Sequence, residues 1–252
     1  MTMRRQVVAA HVLAEGSIVL ALVGWWAMAR TMPSFILPGP VEVAGVFARL
    51  FIDPAFLVHT LTSLARVVAS VLLAMLIGGL LALLARIVPE LQWVVMRRIQ
   101  PFLNAFPSVG WAILAVAWLD VSNAAVIFVE VVILIPFCLI NIAAGLDEID
   151  AEVVEMGRSF TRNPVRLLVR LYLPLLTPYL LAAARVSYGL GWKLALVAEL
   201  FGAESGLGYL MIRAQYTGQT SVVIATCLAI VFIFILGEKL VIDPLARRFA
   251  AR

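Results

Sequence analysis

Charged residues are scarce in this chain: they make up 13% of its 252 residues, whereas hydrophobic residues make up 63%. A typical soluble domain has about a quarter of its residues charged and about half of them apolar. The composition therefore excludes an ordinary soluble domain. It predicts an all-α membrane protein, in which each helical span needs about 20 mostly apolar residues.

Residues that build chemical sites are also scarce. The two cysteines, Cys138 and Cys227, lie in apolar runs without a CxxC pair, so they indicate neither a disulfide nor a metal site. The two histidines, His11 and His59, lie at the ends of apolar runs, and there is no HExxH or GxSxG motif. A GxxxxGK[ST] loop for nucleotide phosphates is missing too. These absences argue against an intramembrane enzyme and against an ATPase.

Long apolar runs are what the chain does contain. Six of them are long enough to cross a bilayer. They cover residues 12–29, 60–85, 101–119, 122–145, 172–198 and 219–241. The prolines of "PSFILPGPVEV" precede a short amphipathic helix near 41–51, and "LDVSNA" reads as a tight turn. We therefore predict a single domain over 1–252 with six transmembrane helices.

The basic residues are distributed unevenly between the two sides that six spans define. Thirteen lie at the termini and in loops 86–100 and 146–171, and three lie on the opposite side. Cytoplasmic loops carry an excess of Lys and Arg. The distribution predicts that both termini and the loop at about 147–170 are cytoplasmic.

That loop contains a short helix with one apolar face. The apolar residues recur at helical spacing and are Ile149, Val153, Met156 and Phe160. The charged residues around them are Asp150, Glu152, Glu155 and Arg158. Asn163-Pro164 ends the helix, because proline disfavours helix at the residue before it. A separate amphipathic helix suits a groove on a partner protein, and it equally suits the lipid headgroups.

Two details favour the groove over the headgroups. Acidic residues crowd the first half of the helix, where an anionic leaflet would repel them. Gly157 lies inside the helix at a cost of about 1 kcal/mol relative to alanine, and close approach of another backbone would explain it.

The stretch "EVVEMGRSF…VRLYLP" resembles the coupling-loop signature of permease subunits of bacterial ABC importers. In that signature a Glu-Ala-Ala start precedes a glycine and, further on, a Leu-Pro pair. Gly157 matches the glycine, and Leu173-Pro174 matches the pair. Ala151 stands where the signature has glutamate, with Glu152 one place later. The resemblance therefore implies the role of the loop more than a role for Glu152.

Four further stretches are similar to permeases of the nitrate, sulfonate and taurine type. They are "ILPGPVEV", "HTLTSLARVVAS", "FPSVGWAILAVAWLD" and "AAARVSYGLGWKLALVAELFGAESGLGYLM". The last contains the Arg…Trp…Glu…Gly-Leu-Gly-Tyr run of that type, and Leu119-Asp120 departs from the Phe-Gly of the third. The similarity covers about residues 35–240, and the order and spacing of the stretches make it specific.

The resemblance implies a permease of the bacterial inner membrane that carries no cofactor and is not itself an enzyme. It implies ABC ATPase subunits that bind ATP and Mg, an external solute-binding protein, and a second permease copy in a homodimer or pseudo-symmetric pair. The implied contacts with the ATPase are Asp150, Glu152, Glu155, Met156, Gly157, Arg158 and Phe160.

Charges within the apolar runs point to a solute pathway. Three bases lie there, Arg66, Arg185 and Lys193, against one acid, Glu130. Intramembrane charges usually face protein or water, so these residues are candidates for a pathway lined for an anion. A structural alternative is equally open: Glu130 neutralises Arg185 or Lys193, and Arg66 snorkels to the interface.

Other polar or aromatic residues in the runs complete the candidate pathway. Asn104 lies with Pro107 and Ser108 in the third run and indicates a broken helix that faces protein. Trp192 precedes Lys193 in the fifth run. The charge balance and the resemblance together predict passage of a sulfonate, taurine, nitrate or similar small anion. The alternatives are a stand-alone secondary transporter and an importer of a pyrimidine vitamin precursor.

Overall fold

The computed structural model describes the backbone of residues 2–250 and the side chains of Leu13 and of residues 15–248. Within this part of the chain every regular element is helical, and there is no strand. The α-helices are α1 (Thr2–Ala29), α2 (Pro40–Leu50), α3 (Pro54–Ile87), α4 (Pro89–Val94), α5 (Gln100–Ala105), α6 (Ser108–Leu119), α7 (Asn123–Asp147), α8 (Ala151–Phe160), α9 (Pro164–Leu167), α10 (Leu173–Gly202), α11 (Leu207–Tyr216), α12 (Thr220–Gly237) and α13 (Asp243–Ala250).

Four stretches of the described chain are long and apolar enough to cross a membrane. They are Pro54–Ile87, Asn123–Asp147, Pro164–Gly202 and Thr220–Arg248. A bent pair of helical stretches, Pro89–Ala105 and Ser108–Leu119, makes a fifth if the two count as one span. The described apolar part of α1, Glu15–Ala29, is shorter. The all-helical membrane class is confirmed, and the sixth span stays a prediction.

The third predicted span is broken. Its two parts meet at an angle of 87° where Phe106 and Pro107 adopt extended backbone conformations. Pro107 disfavours helix at Phe106 and is compatible with the start of α6. The break confirms the interpretation of this segment. Asn104 and Pro107 are exposed in the single chain and Ser108 is half-buried, so the prediction that this segment faces protein stays a prediction for the assembled importer.

Three π-helical turns lie inside longer helical stretches, and each is followed by a proline two residues later. The turns are Val95–Ile99, Leu168–Tyr172 and Glu238–Ile242, and the prolines are Pro101, Pro174 and Pro244. A proline cannot donate to the carbonyl four residues before it, and its ring crowds that carbonyl. The wider π turn relieves this conflict, so the helix continues through the proline.

The short helices near the ends of the spans also have local causes. Helix α2 begins at Pro40, in agreement with the helix predicted near 41–51. In the predicted "LDVSNA" turn, the Ser122 hydroxyl accepts a hydrogen bond from the Ala125 N–H at 3.2 Å and caps α7. The Asn163 side chain caps α9 in the same way through Val165 and Arg166. The loop helix α8 therefore ends before a new helix begins, as predicted.

The chain divides into two compact units. One comprises the residues up to Leu57 together with Leu210–Ala229. Within it, the Trp25 indole donates to the Pro38 carbonyl at 3.0 Å. The other comprises Val58–Tyr209 together with the chain from Ile230 onward. Its core is built on α7, which packs against α6 and α10 around Trp111, Ala115, Val126, Val129 and Ala198.

Candidate functional site

A buried ion pair connects α3 and α10 within the second unit. Arg66 Nη1 lies 2.7 Å from Glu199 Oε1, and the two side chains are 4% and 0% exposed. The Ser63 hydroxyl lies 2.7 and 2.9 Å from the two carboxylate oxygens of Glu199. The Gly208 N–H donates to Glu199 Oε2 at 2.9 Å. A buried carboxylate needs such partners, because an unpaired charge costs several kcal/mol.

The rest of the Arg66 guanidinium is occupied as well. Its Nε and Nη2 both donate to Asn123 Oδ1, at the start of α7. Its Nη1 reaches the Ser205 carbonyl and its Nη2 the Ser205 hydroxyl, each at 2.8 Å. With Glu199, these acceptors use every nitrogen of the group. Arg66 therefore has no free nitrogen with which to bind a solute.

The segment between α10 and α11 folds onto this ion pair, and its glycines make that possible. Gly206 has φ +107°, and a side chain there would overlap the Glu199 carboxylate. A Cβ on Gly208 would lie 2.7 Å from the Leu196 carbonyl. The Gly206 N–H also donates to His59 Nδ1 at 2.9 Å. The Gly-x-Gly of the "GLGYL" stretch is therefore a packing requirement of the ion pair.

These contacts join α3, α7, α10 and the segment after α10, and we name them the Arg66–Glu199 network. The snorkelling alternative for Arg66 is wrong, because the guanidinium is buried and paired. The sequence prediction does not include Glu199 among the acids within the membrane, because the fifth predicted run ends at residue 198. The sequence contained one indication of this ion pair. The arginine of "SLAR" and the glutamate of "AELFGAESGLGY" both lie in stretches that resemble the same type of permease.

The other predicted pathway residues lie in different surroundings. Glu130 is fully buried beside Ser70, and neither side chain reaches hydrogen-bond geometry with a described residue. Trp192 is buried edge-on against Tyr188, with ring centroids 6.3 Å apart. Lys193 is exposed on α10, and no described residue pairs with its ammonium. The structure therefore does not bring Glu130 and Lys193 together as an ion pair.

Arg185 pairs with two acids near the end of the chain. Its Nε and Nη2 donate to Glu238 Oε1 at 2.9 and 2.7 Å, and Nη2 also reaches Asp243 Oδ1 at 3.1 Å. The Arg185 side chain is 53% exposed. The alternative in which Glu130 neutralises Arg185 is therefore wrong. Glu199 and Glu238 are thus acids that pair with two of the three predicted bases, Arg66 and Arg185, so these two arginines are not free cations.

The apolar face of the loop helix is divided along its length. Ile149, just before α8, is buried, and Val153 is half-buried. Met156 and Phe160 are 55% and 83% exposed. The charged members of the predicted contact set are exposed too: Asp150, Glu152, Glu155 and Arg158. The C-terminal half of α8 therefore presents an apolar surface rimmed by charges, and no described residue covers it.

Gly157 has a different role from the one predicted. A Cβ at this position would lie 2.9 Å from Leu167 Cδ1 and 2.8 Å from Leu171 Cδ2. The glycine thus lets α8 approach the first turns of the next helix of the same chain. The prediction that it accommodates a partner's backbone does not agree with this geometry. Because Gly157 has no side chain, α8 packs closely against the stretch that leads into α10.

Among the described residues, no group of three or more histidine, cysteine or acidic side chains is arranged to hold a metal ion. The candidate site therefore consists of an exposed apolar surface on α8, a buried network and charges along α10. Residues 74–250 match the family described as "Binding-protein-dependent transport system inner membrane component". This stretch is more than half of the chain, so the chain belongs to that family.

Individual relatives agree with the family. A probable ABC transporter permease of Brucella melitensis is 28% identical over 205 residues, which are 79% of this chain and 80% of the relative. A nitrate import permease of Synechococcus elongatus is 25% identical over 230 residues, 86% of this chain and 81% of the relative. A putative aliphatic sulfonates transport permease of Escherichia coli is 32% identical over 136 residues, 54% and 51% of the two chains.

Two solved structures share the fold. A methionine ABC transporter in an inward-facing conformation has a TM-score of 0.63 and 20% identity, over 76% of this chain and 94% of that chain. A bacterial ABC transporter involved in the import of the acidic polysaccharide alginate has a TM-score of 0.66 and 16% identity, over 98% and 97% of the chains. The family and this fold together make the chain a permease subunit of an ABC importer.

Proposed function

We propose that this permease passes a small anion, such as a sulfonate or nitrate, across a bacterial inner membrane. The anion comes from an external solute-binding protein, and separate ATPase subunits hydrolyse the ATP. The permease works as a pair, with a second copy of itself as the simplest partner. The observation that carries the proposal is the apolar surface that Met156 and Phe160 present on α8.

The position of α8 in the chain suits a mechanical contact. Short non-helical segments separate α8 from α7 and α9. Leu167 and Leu171 pack against Gly157, and both belong to the helical stretch Pro164–Gly202. A force applied to α8 by an ATPase therefore reaches a membrane-spanning stretch through direct packing. An amphipathic helix that docks in a groove is a known mode of recognition between proteins.

The test of docking is to remove the exposed aromatic ring without disturbing the fold. Phe160→Ala takes away a side chain that is 83% exposed among the described residues. We expect the variant to insert normally and to lose association with the ATPase subunits in co-purification. Truncation of an exposed aromatic anchor at an interface costs about 2 kcal/mol or more.

A matched control is Phe35→Ala, since Phe35 is also highly exposed but precedes α2. It should leave the association unchanged. Gly157→Trp is the complementary variant, because its side chain would push Leu167 and Leu171 away from α8. Full ATP-driven uptake by both Phe160→Ala and Gly157→Trp would rule out α8 as the docking element.

Support for an anionic cargo comes from the nitrate and sulfonate permeases among the relatives. It also comes from Lys193, a cation on α10 that no described residue neutralises. The predicted excess of intramembrane bases no longer contributes, because Arg66 and Arg185 are paired with carboxylates.

The cargo is tested most directly on the cognate solute-binding protein. Its ligand can be measured by calorimetry against nitrate, aliphatic sulfonates and neutral heterocycles. Tight binding of an anion supports the proposal. A neutral ligand such as a pyrimidine vitamin precursor would contradict it, and uptake without ATP would favour a secondary transporter.

A further inference from the structure

The ion pairs of Arg185 leave an excess of negative charge at its site. One guanidinium meets two carboxylates, those of Glu238 and Asp243, at 2.7 and 3.1 Å. The three side chains carry a net charge of −1 when ionised. Arg185 is therefore a cation whose charge is already satisfied by the protein's own acids. We name this group the Arg185 cluster.

Arg185 lies in the middle part of a helical stretch that is long and apolar enough to span a membrane. Arg185 is about 25 Å along the helix from Gly202 and about 32 Å from Pro164, at 1.5 Å per residue. Its side chain is half-exposed. Hydrocarbon offers no partner to such a charge, so charged groups within membrane-spanning helices usually face water or protein. The exposed face of α10 that carries Arg185 is therefore suited to water or to protein in the assembled importer, and not to lipid.

Lys193 lies about 12 Å from Arg185 along the same helix, in the direction of Gly202. Between them, Gly189 has no side chain, and a Cβ added there would meet only Phe234, at 3.9 Å. Val186 is exposed beside it. Lys193, with which no described residue pairs, and Arg185, which is paired, thus lie on one broad side of α10. Little side-chain volume lies between them.

Aromatic packing lies directly beside the Arg185 cluster. The Tyr188 ring stacks on Phe234 with centroids 5.5 Å apart. The Tyr188 hydroxyl occupies the space where a side chain at Gly237 would lie. Glu238 follows Gly237 directly, so this packing aligns it with Arg185, three residues before Tyr188.

We propose that Lys193 and Arg185 are two successive stations for the anion, and that Glu238 and Asp243 compete with the anion for Arg185. An anion at Lys193 is attracted by an unneutralised charge. It can occupy Arg185 only by displacing a carboxylate. When the carboxylates return to Arg185, their negative charge expels the anion, so the second station does not trap its cargo. A neutral solute gains nothing at either station.

This inference rests on the proposed anionic cargo and is tested in the complete importer. The permease, its ATPase subunits and the solute-binding protein are reconstituted in proteoliposomes, and ATP-driven uptake of nitrate and of an aliphatic sulfonate is measured. Lys193→Gln should raise KM about tenfold, because an attractive station is lost. The double variant Glu238→Gln, Asp243→Asn should lower kcat about tenfold without raising KM, because release from Arg185 slows.

Two further variants separate these roles from a structural one. Arg185→Lys keeps the charge and should retain uptake, whereas Arg185→Gln should lose it. Arg49→Gln removes an exposed charge from α2 and serves as the control, with uptake unchanged. A purely structural cluster would instead lower the amount of assembled complex in all cluster variants and leave KM and kcat of the assembled fraction unchanged.

The outcomes distinguish the inference from the proposed function. Normal KM and kcat in both Lys193→Gln and the double variant, with anion uptake by the parent complex, would overturn the two stations and leave the anionic cargo intact. ATP-driven uptake of a neutral solute alone by the parent complex would overturn both.

Discussion

Glu199 is the residue on which most of the buried polar contacts converge. Its carboxylate meets Arg66, the Ser63 hydroxyl and the Gly208 N–H, and its side chain is fully buried. Arg66 in turn is paired on all its nitrogens. Removal of one member leaves the other buried without its charge partner, and that cost is larger than the worth of an exposed ion pair.

Arg66→Ala should therefore destabilise the protein by about 3–5 kcal/mol. The measurement is thermal unfolding of the purified permease in detergent, with Arg49→Ala as an exposed control. Arg66→Lys keeps a charge near Glu199 but not the contacts to Asn123, so its loss should be intermediate. Equal melting temperatures for Arg66→Ala and the control would contradict the network as described.

Gly208→Ala tests the close packing around the same carboxylate. The added Cβ would lie 2.7 Å from a backbone carbonyl, which cannot move without displacing α10. We expect a clear loss of thermal stability. Gly45→Ala is the matched control, because no atom lies within 4 Å of its added Cβ, and in a helix alanine is favoured by about 1 kcal/mol. A stability gain at both positions would be inconsistent with the structure.

At the scale of elements, the start of the long stretch Pro164–Gly202 connects α8 to a membrane-spanning helix. The Asn163 side chain accepts hydrogen bonds from the N–H groups of Val165 and Arg166 at 3.0 and 3.3 Å. Three features define how α8 meets the membrane-spanning helix. They are these caps, the contacts of Leu167 and Leu171 at Gly157, and the π turn before Pro174.

Asn163→Ala should open this first turn, since a lost N-cap costs about 1 kcal/mol. Amide hydrogen exchange at Val165 and Arg166 should then accelerate about fivefold, by the relation between free energy and population. Asn163→Asp retains an acceptor and should retain protection. Unchanged exchange in Asn163→Ala would mean that other contacts hold the turn.

At the scale of the whole molecule, the predicted topology can be measured with single cysteines. Phe160→Cys and Phe35→Cys are introduced separately where Cys138 and Cys227 have been replaced by serine. Both positions are highly exposed, so each should react with a maleimide. The orientation predicted from the basic residues requires an impermeant reagent outside the cell to label position 35 and spare position 160. The reverse pattern would invert the topology and exclude docking of α8 to a cytoplasmic ATPase.

Much of the fold could be predicted from local sequence. Proline sterics, side-chain capping and helical periodicity predict four local features. They are the helix near 41–51, the Ser122 turn, the break at Pro107 and the separate helix before Asn163. These are interactions over a few residues. The continuous helices at Pro174 and Pro244 do not follow from local sequence. Proline sterics alone predict an interruption there, and a π turn lets each helix continue.

By itself, the sequence determined the helical membrane class, the amphipathic character of α8 and, through its motifs, the importer family. Only the tertiary structure decided which charges are free. Arg66 pairs with Glu199, which is 133 residues away in the sequence, and Arg185 pairs with Glu238, which is 53 residues away. Periodicity and composition carry no information on such distant pairs. The partner of a buried charge depends on which helices pack together and at what height, so the charge balance along a pathway is a property of the folded molecule.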